Sequence, residues 1–470
     1  MQVKLALPKG NLLSPTSVLL QNAGLEPSGY DEEYRSYRPQ CHGFPDLFLK
    51  VFHEKDIPIQ VAIGNYDLGI CGRYWVEELL AKYPSSALVK VLDLRYGKSS
   101  LCMASSKSVK LKSIKDLEAK VGTIHIATEY PNLAESFALS LRLRRFSIFP
   151  VWGAADVYPP ENADLALISL AAGSPLDQRL FSVSSILSSS AVLIAHRNSW
   201  QSKDLSSLLE RLHAAANVKE ATSESAESQE DRTKESRSGS LRQDADIRLG
   251  LPDGHQQEPT LEFLGKAGIT IQDRVADPRR PGINIKGASA KVIRPQDMPL
   301  QVANRNFDLA ITGEDWLYDH LYRFPSSPVT ELLKLGFGKV RIVAVVSNKL
   351  PVDSPQGLRQ LLRNGSLSAL RIASEYTNVA DKYARDNHLS PYRLIPTWGA
   401  SEAFLPEDAD LLIENVQTGQ TLAQHDLKII DTIFQSSACL ICNANPPGDS
   451  AQLRRMDRII QTLQQAINEN

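Results

Sequence analysis

The 470-residue sequence is poor in the features that tie a chain to a charged partner, a membrane or an oxidising compartment. Lys and Arg number 52 against 54 Asp and Glu, so no basic field draws it to nucleic acid or anionic lipid. No apolar run approaches the ~18 residues that a membrane-crossing helix needs, and the start, MQVKLALPKG, has no sustained apolar core of signal-peptide length. A soluble cytoplasmic protein without nucleic-acid or membrane partners is the expectation. Five cysteines in this length make no disulfide framework. Cys439 and Cys442 do form a C-x-x-C inside "SSACLICNA", yet an earlier segment in the same frame, "SSAVLIAHR", has Val192 and Ala195 in their places. Buried strand thiols are therefore expected, with a redox or metal pair as the less favoured alternative.

One stretch lacks large apolar residues altogether. Residues 219–240, "KEATSESAESQEDRTKESRSGS", cannot bury enough surface to offset their ordering entropy. A flexible linker at 216–245 is expected, with a solvated helix as the alternative. It separates two copies of one unit, 1–215 and 246–470. "LALPKGNLL" matches "LGLPDGHQQ", "KDIPIQVAIGNYDLGICGRYW" matches "QDMPLQVANRNFDLAITGEDW", "IATEYPNLA" matches "IASEYTNVA", and "VWGAADVYPPENADLAL" matches "TWGASEAFLPEDADLLI". The offset stays between roughly 241 and 246 residues, so a whole domain-sized unit is duplicated.

Within each copy short apolar runs such as 3–7, 68–70, 124–127 and 165–168 are bounded by Gly, Pro or Asn, the pattern of buried strands. Between them, 12–23 and 205–214 space apolar residues by three and four, as helices do. The alternation predicts an α/β fold with largely parallel sheets, and a copy of about 215 residues is large enough for two lobes and a cleft.

The segment "LLIENVQTGQTLA" suggests an anion site. A strand-like run ends at Glu414, and the turn Thr418-Gly419-Gln420-Thr421 offers backbone N–H groups and two hydroxyls. An acid upstream suits ribose hydroxyls, so the whole would fit a ribose 5-phosphate. Taken alone, Thr-Gly-x-Thr also occurs in ordinary turns.

Together, "LALPKG", "KDIP", "YDLGICGR", "ATEYPN", "WGA" and "QTGQTL" in this order resemble the ATP phosphoribosyltransferase family of histidine biosynthesis, over both copies and all but the linker. The resemblance implies two tandem copies of a two-lobed, type II periplasmic-binding-protein-like fold. It implies transfer of the phosphoribosyl group of phosphoribosyl pyrophosphate to N1 of ATP, with Mg2+ accompanying the polyphosphates and pyrophosphate leaving. Each copy has the length of the family's short form, which implies a separate regulatory subunit similar to a histidyl-tRNA synthetase. Such a reaction asks for positioning, cations around two polyphosphates and a carboxylate near a cationic sugar.

Carried over by motif, the second copy keeps Thr418, Gly419, Gln420 and Thr421 as the phosphoribosyl loop, Glu414 before it, Glu402 after "TWGAS", and Arg294 as the arginine of an R-P-x-D-x-P segment. Where the family has a lysine and an arginine it has Asp253 and Glu314, a swing of four charges facing a polyanion. The first copy keeps those cations as Lys9 and Arg73 but has His53 for the R-P arginine, Ala172 and Pro175 for the two threonines, Ser169 for Glu414, and Asp156 for Glu402. These complementary losses predict an internal pseudo-dimer with one composite site, and further association of chains stays open. The R-P arginine is the one the resemblance implies crosses between subunits, so on that geometry Arg294 would serve the first copy's cleft. An active transferase is the expectation. The alternatives are a catalytically weak or inactive nucleotide-binding subunit, and a plain two-lobed binder of small molecules.

Overall fold

The apolar runs bounded by Gly and Pro become the central strands of five-stranded sheets. The computed structural model describes residues 2–31, 37–218, 247–272, 277–445 and 450–468. In the first copy the first lobe orders its strands Leu47–Phe52, Val3–Pro8, Leu68–Gly72, Ala191–His196, Leu88–Asp93. The second lobe orders them Leu180–Ser189, Ser99–Ser106, Leu165–Ala171, Ile124–Thr128, Phe146–Pro150. The second copy repeats both sheets, from Ala288–Ile293 to Val329–Lys334 and from Tyr392–Pro396 to Leu427–Ser436. This is the α/β, twice-repeated two-lobed architecture expected of type II periplasmic-binding-protein-like copies.

The sheets are mixed rather than simply parallel. In each, the first strand after the chain crosses between lobes is inserted antiparallel, Ser99–Ser106 in one and Ala191–His196 in the other. Periodicity cannot show this, because a buried strand reads as an apolar run in either direction. The first-lobe core gathers Leu5, Leu7, Leu49, Ile70 and Leu193 beneath the helices Leu13–Asn22 and Ser206–Val218. That second helix carries buried Ala215 and Ala216, so the linker expected from 216 starts inside it. Residues 219–246 lie outside the described residues. Cys439 and Cys442 are buried in the strand Ala438–Asn443, paired with Thr312 and Leu309 of the neighbouring strand, and burial raises both thiols. Among the described residues no helix is long and apolar enough to cross a membrane.

The two lobes of a copy are braced by one helix. Arg73–Lys82 starts at the end of a first-lobe strand, yet its Trp75 belongs to the second-lobe core. Its Glu78 accepts the backbone N–H groups of Asn132 and Leu133, both at 2.9 Å, at the start of the helix Pro131–Ser140. In the second copy Trp316 and Asp319 repeat this, with Asp319 accepting from Asn378 and Val379 at 2.9 and 3.0 Å. A carboxylate there satisfies two otherwise unpaired donors and meets the positive end of the helix dipole.

By its packing the chain divides into two units. One comprises the described residues of Met1–Pro150, Tyr158–Gly239 and Trp398–Ala403, and the other those of Val151–Val157, Ser240–Thr397 and Phe404–Asn470. Each copy thus gives the other unit one short segment, the stretch around its Trp-Gly-Ala.

Candidate active site

In the first unit the candidate cations stand where parallel strands end. Lys9 follows the strand Val3–Pro8, is exposed, and holds its Nζ 5.5 Å from the Tyr37 ring centre. Arg73 opens the helix Arg73–Lys82 with its side chain 43% exposed, and its Nε lies 3.2 Å from Glu77. His53 follows the strand Leu47–Phe52 at the place that Arg294 holds after Ala288–Ile293. Burial, then the charges of Lys55 and Lys9, push its pKa down to about 4, so at neutral pH it supplies no cation.

Two residues that sequence reasoning missed, Glu54 and Lys55, follow His53 directly. Glu54 is buried and accepts from the Gly72 N–H and the Tyr74 hydroxyl, each at 3.3 Å; burial raises its pKa to about 7. Lys55 lies over two indoles, 5.3 Å from the Trp75 ring and 4.3 Å from that of Trp398. Trp398 heads the exchanged segment, so Glu402, half-buried on the short turn of helix Ser401–Phe404, belongs to the same unit as Lys9 and Arg73. The motif frame had put it with the second copy.

The reciprocal segment, Val151–Val157 with Asp156, belongs to the second unit. The Trp152 N–H donates to both carboxylate oxygens of Asp297 at 3.2 and 3.1 Å, and its ring lies 5.7 Å from that of Trp316. A Cβ on Gly153 would stand 3.0 Å from Arg294 Nε.

The two acids that replace family cations do not stand free. Asp253 is only 7% exposed and is held by Arg279 at 2.7 Å and by Arg294 at 3.4 Å. Arg294 is therefore engaged within its own unit. Glu314, 4% exposed, pairs with Lys334 and accepts from the Ser437 N–H at 2.9 Å and hydroxyl at 3.1 Å. A swing of four charge units at two positions overlooks these partners, which motif spacing could not reveal.

The two copies differ at the segment read from the sequence as an anion site. After the strand Leu411–Val416, Gly419 adopts φ +81° and opens the one-turn helix Gln420–Gln424, with Thr418, Gln420 and Thr421 exposed. A side chain at that φ is strained, so glycine is required. In the first copy Gly173 keeps φ +81° but no helix follows, and Asp177 turns back to take the Arg179 backbone N–H at 2.8 Å and its guanidinium. Strand pairing corrects one correspondence. Glu414 lies opposite Val343 and Asn415 opposite Ile342, while Ile168 lies opposite Cys102 and Ser169 opposite Leu101. The place of Glu414 is thus taken by Ile168, and Ser169 answers to Asn415, in agreement with the constant offset from Asp164/Asp410 to Gly173/Gly419.

Asn415 leads into a buried network. Its Nδ2 donates to the Tyr376 hydroxyl at 3.0 Å, which donates to Asp315 at 2.6 Å, and the Ser436 hydroxyl donates to the other Asp315 oxygen at 2.8 Å. The Asn415 backbone N–H also holds Glu414 Oε1 at 3.0 Å.

Comparison with known proteins agrees with these motifs. The HisG family model, described as ATP phosphoribosyltransferase, matches residues 53–214 and again 294–465. The ATP phosphoribosyltransferase of Chlorobium phaeovibrioides is 30% identical over 229 residues, 47% of this chain and 72% of that protein. That of Chlorobaculum parvum is 31% identical over the same shares, and that of Sulfurisphaera tokodaii 30% identical over 42% of this chain and 66% of its own. Among solved structures, the ATP phosphoribosyl transferase (HisG:HisZ) complex from Thermotoga maritima is similar at 20% identity and a TM-score of 0.38, over 48% of this chain and all of that one. The chain belongs to the ATP phosphoribosyltransferase family, whose model it matches twice.

Proposed function

We propose that the chain is an ATP phosphoribosyltransferase of histidine biosynthesis that needs both of its copies. The second copy holds the phosphoribosyl end of phosphoribosyl pyrophosphate on Thr418, Gly419, Gln420 and Thr421, with Glu414 at the ribose. On the first copy Lys9 and Arg73 are the groups suited to polyphosphate, and Glu402, in the same unit as these two, is the carboxylate suited to a cationic sugar. The carrying observation is that the left-handed glycine opens a helix only in the second copy, while the exposed family cations survive only in the first.

The chemistry follows from what these groups can do. N1 of adenine attacks C1 of the ribose while the bond to pyrophosphate breaks, and no strong base is required. Lys9 and Arg73 offset the charge that builds on the leaving pyrophosphate. The loop's backbone N–H groups and threonine hydroxyls fix the 5-phosphate, which sets C1 against the nucleophile. Magnesium is taken to arrive with these phosphates, whose oxygens are the ligands it prefers. When bound, it neutralises pyrophosphate. The short-form length of each copy supports a separate regulatory subunit, and the reaction is taken to be cytoplasmic.

A second reading rests on Asp253 and Glu314. With both buried in ion pairs, the second copy binds the phosphoribosyl ligand without turning it over, and the chain is an inactive, ligand-binding subunit. The absorbance rise of phosphoribosyl-ATP formation, followed with ATP, phosphoribosyl pyrophosphate, magnesium and pyrophosphatase, separates the two. Turnover supports the enzyme; its absence, with a regulatory subunit also added, supports the second reading.

A further inference from the structure

We propose that Asp315 is a positioning residue for the phosphoribosyl loop, acting through Tyr376 and Asn415 without touching substrate. This rests on the reading of residues 418–421 as the ribose-phosphate site.

Asp315 is 3% exposed, and among the described residues no lysine or arginine pairs with it. A buried carboxylate without a cation is tolerated only when hydrogen bonds replace water. Here the Tyr376 and Ser436 hydroxyls do so. The Tyr376 ring stacks on Trp316, centroids 4.2 Å apart, which fixes where its oxygen points.

The order of donors then has one solution. A tyrosine hydroxyl has a single proton, and it is donated in the hydrogen bond to Asp315. The oxygen can only accept from Asn415, which turns the NH2 of that amide inward and its carbonyl the other way. Asn415 lies one residue before the end of the strand Leu411–Val416, and the loop follows at once. Its backbone N–H holds Glu414, the proposed ribose acid. One buried carboxylate thus orients the side-chain amide at the strand end from which the loop departs.

The first copy supplies the contrast. It has Tyr74 in place of Asp315 and Ser169 in place of Asn415, and its buried carboxylate is instead Glu54, bonded to Tyr74. That copy also lacks the helix after its glycine and both threonines. The first copy keeps the middle of the chain, a hydrogen bond between the Tyr130 and Ser169 side chains at the places of Tyr376 and Asn415; the buried aspartate and the loop are what it lacks together.

The test is binding of ribose 5-phosphate to the full chain by calorimetry, together with KM for each substrate. Asp315→Asn is expected to weaken ribose 5-phosphate by about tenfold or more, and to raise KM for phosphoribosyl pyrophosphate with KM for ATP unchanged. Tyr376→Phe keeps the stacked ring, removes one hydroxyl and should show the same split, which guards against a fold lost through Asp315. Unchanged ribose 5-phosphate affinity in both variants, where Thr421→Ala abolishes it, overturns the relay and leaves the loop assignment standing. Binding untouched by Thr421→Ala overturns the loop assignment and the relay with it.

Discussion

Glu54 gives the first copy a stability that depends on pH in a calculable way. Its carboxyl is buried, has neutral donors at 3.3 Å, and has its pKa raised by burial from 4.5 to about 7. The folded state therefore holds this proton more tightly than the unfolded chain does. The stabilisation is complete below about pH 4.5 and is lost as pH rises through about 7. At 1.36 kcal/mol per unit, a displacement from 4.5 to about 7 corresponds to about 3 kcal/mol, most of it lost between about pH 5 and 8. Glu54→Gln keeps the shape and an acceptor but cannot ionise. Urea unfolding of both proteins across that range should show the variant gaining on the wild type by about 2 to 3 kcal/mol as pH rises. Parallel pH profiles would refute the placement of an uncompensated acid at Glu54.

Three further outcomes follow from particular contacts. Asp253→Lys, which restores the family's charge, puts a third cation beside Arg279 and Arg294 and should cost about 2 kcal/mol or more in urea unfolding rather than improve ATP binding. Gly419→Ala and Gly173→Ala each force a side chain to φ +81° and should cost about 1 kcal/mol apiece; only the first should weaken phosphoribosyl pyrophosphate, as read by KM. Asp319→Ala strips two backbone donors of their acceptor and should lower stability by about 1 to 2 kcal/mol, with loss of amide protection at Asn378 and Val379.

Much of this was legible in the sequence, for physical reasons. The strands Val3–Pro8 and Leu68–Gly72 announce themselves as apolar runs bounded by Gly and Pro, and the glycine at 419 as the residue a left-handed turn requires. The duplication fixed Lys9 opposite Asp253 and Arg73 opposite Glu314 because both pairs sit one residue beyond matching strands. What stayed hidden depends on partners distant in sequence. Arg279 and Lys334 neutralise the two acids, and neither lies in a motif. The exchange of the Trp152 and Trp398 segments leaves no local signature, so Glu402 was placed with its own copy. Ile168, not Ser169, answers to Glu414, as both the strand pairing and the constant offset of 246 from Asp164/Asp410 to Gly173/Gly419 require.

The central claim, that catalysis draws on both copies, is tested most directly by phosphoribosyl-ATP formation on the intact chain and on Thr421→Ala and Lys9→Ala. The expected result is turnover in the parent and its loss in either variant. Turnover that survives Lys9→Ala but not Thr421→Ala would confine catalysis to the second copy and contradict the claim.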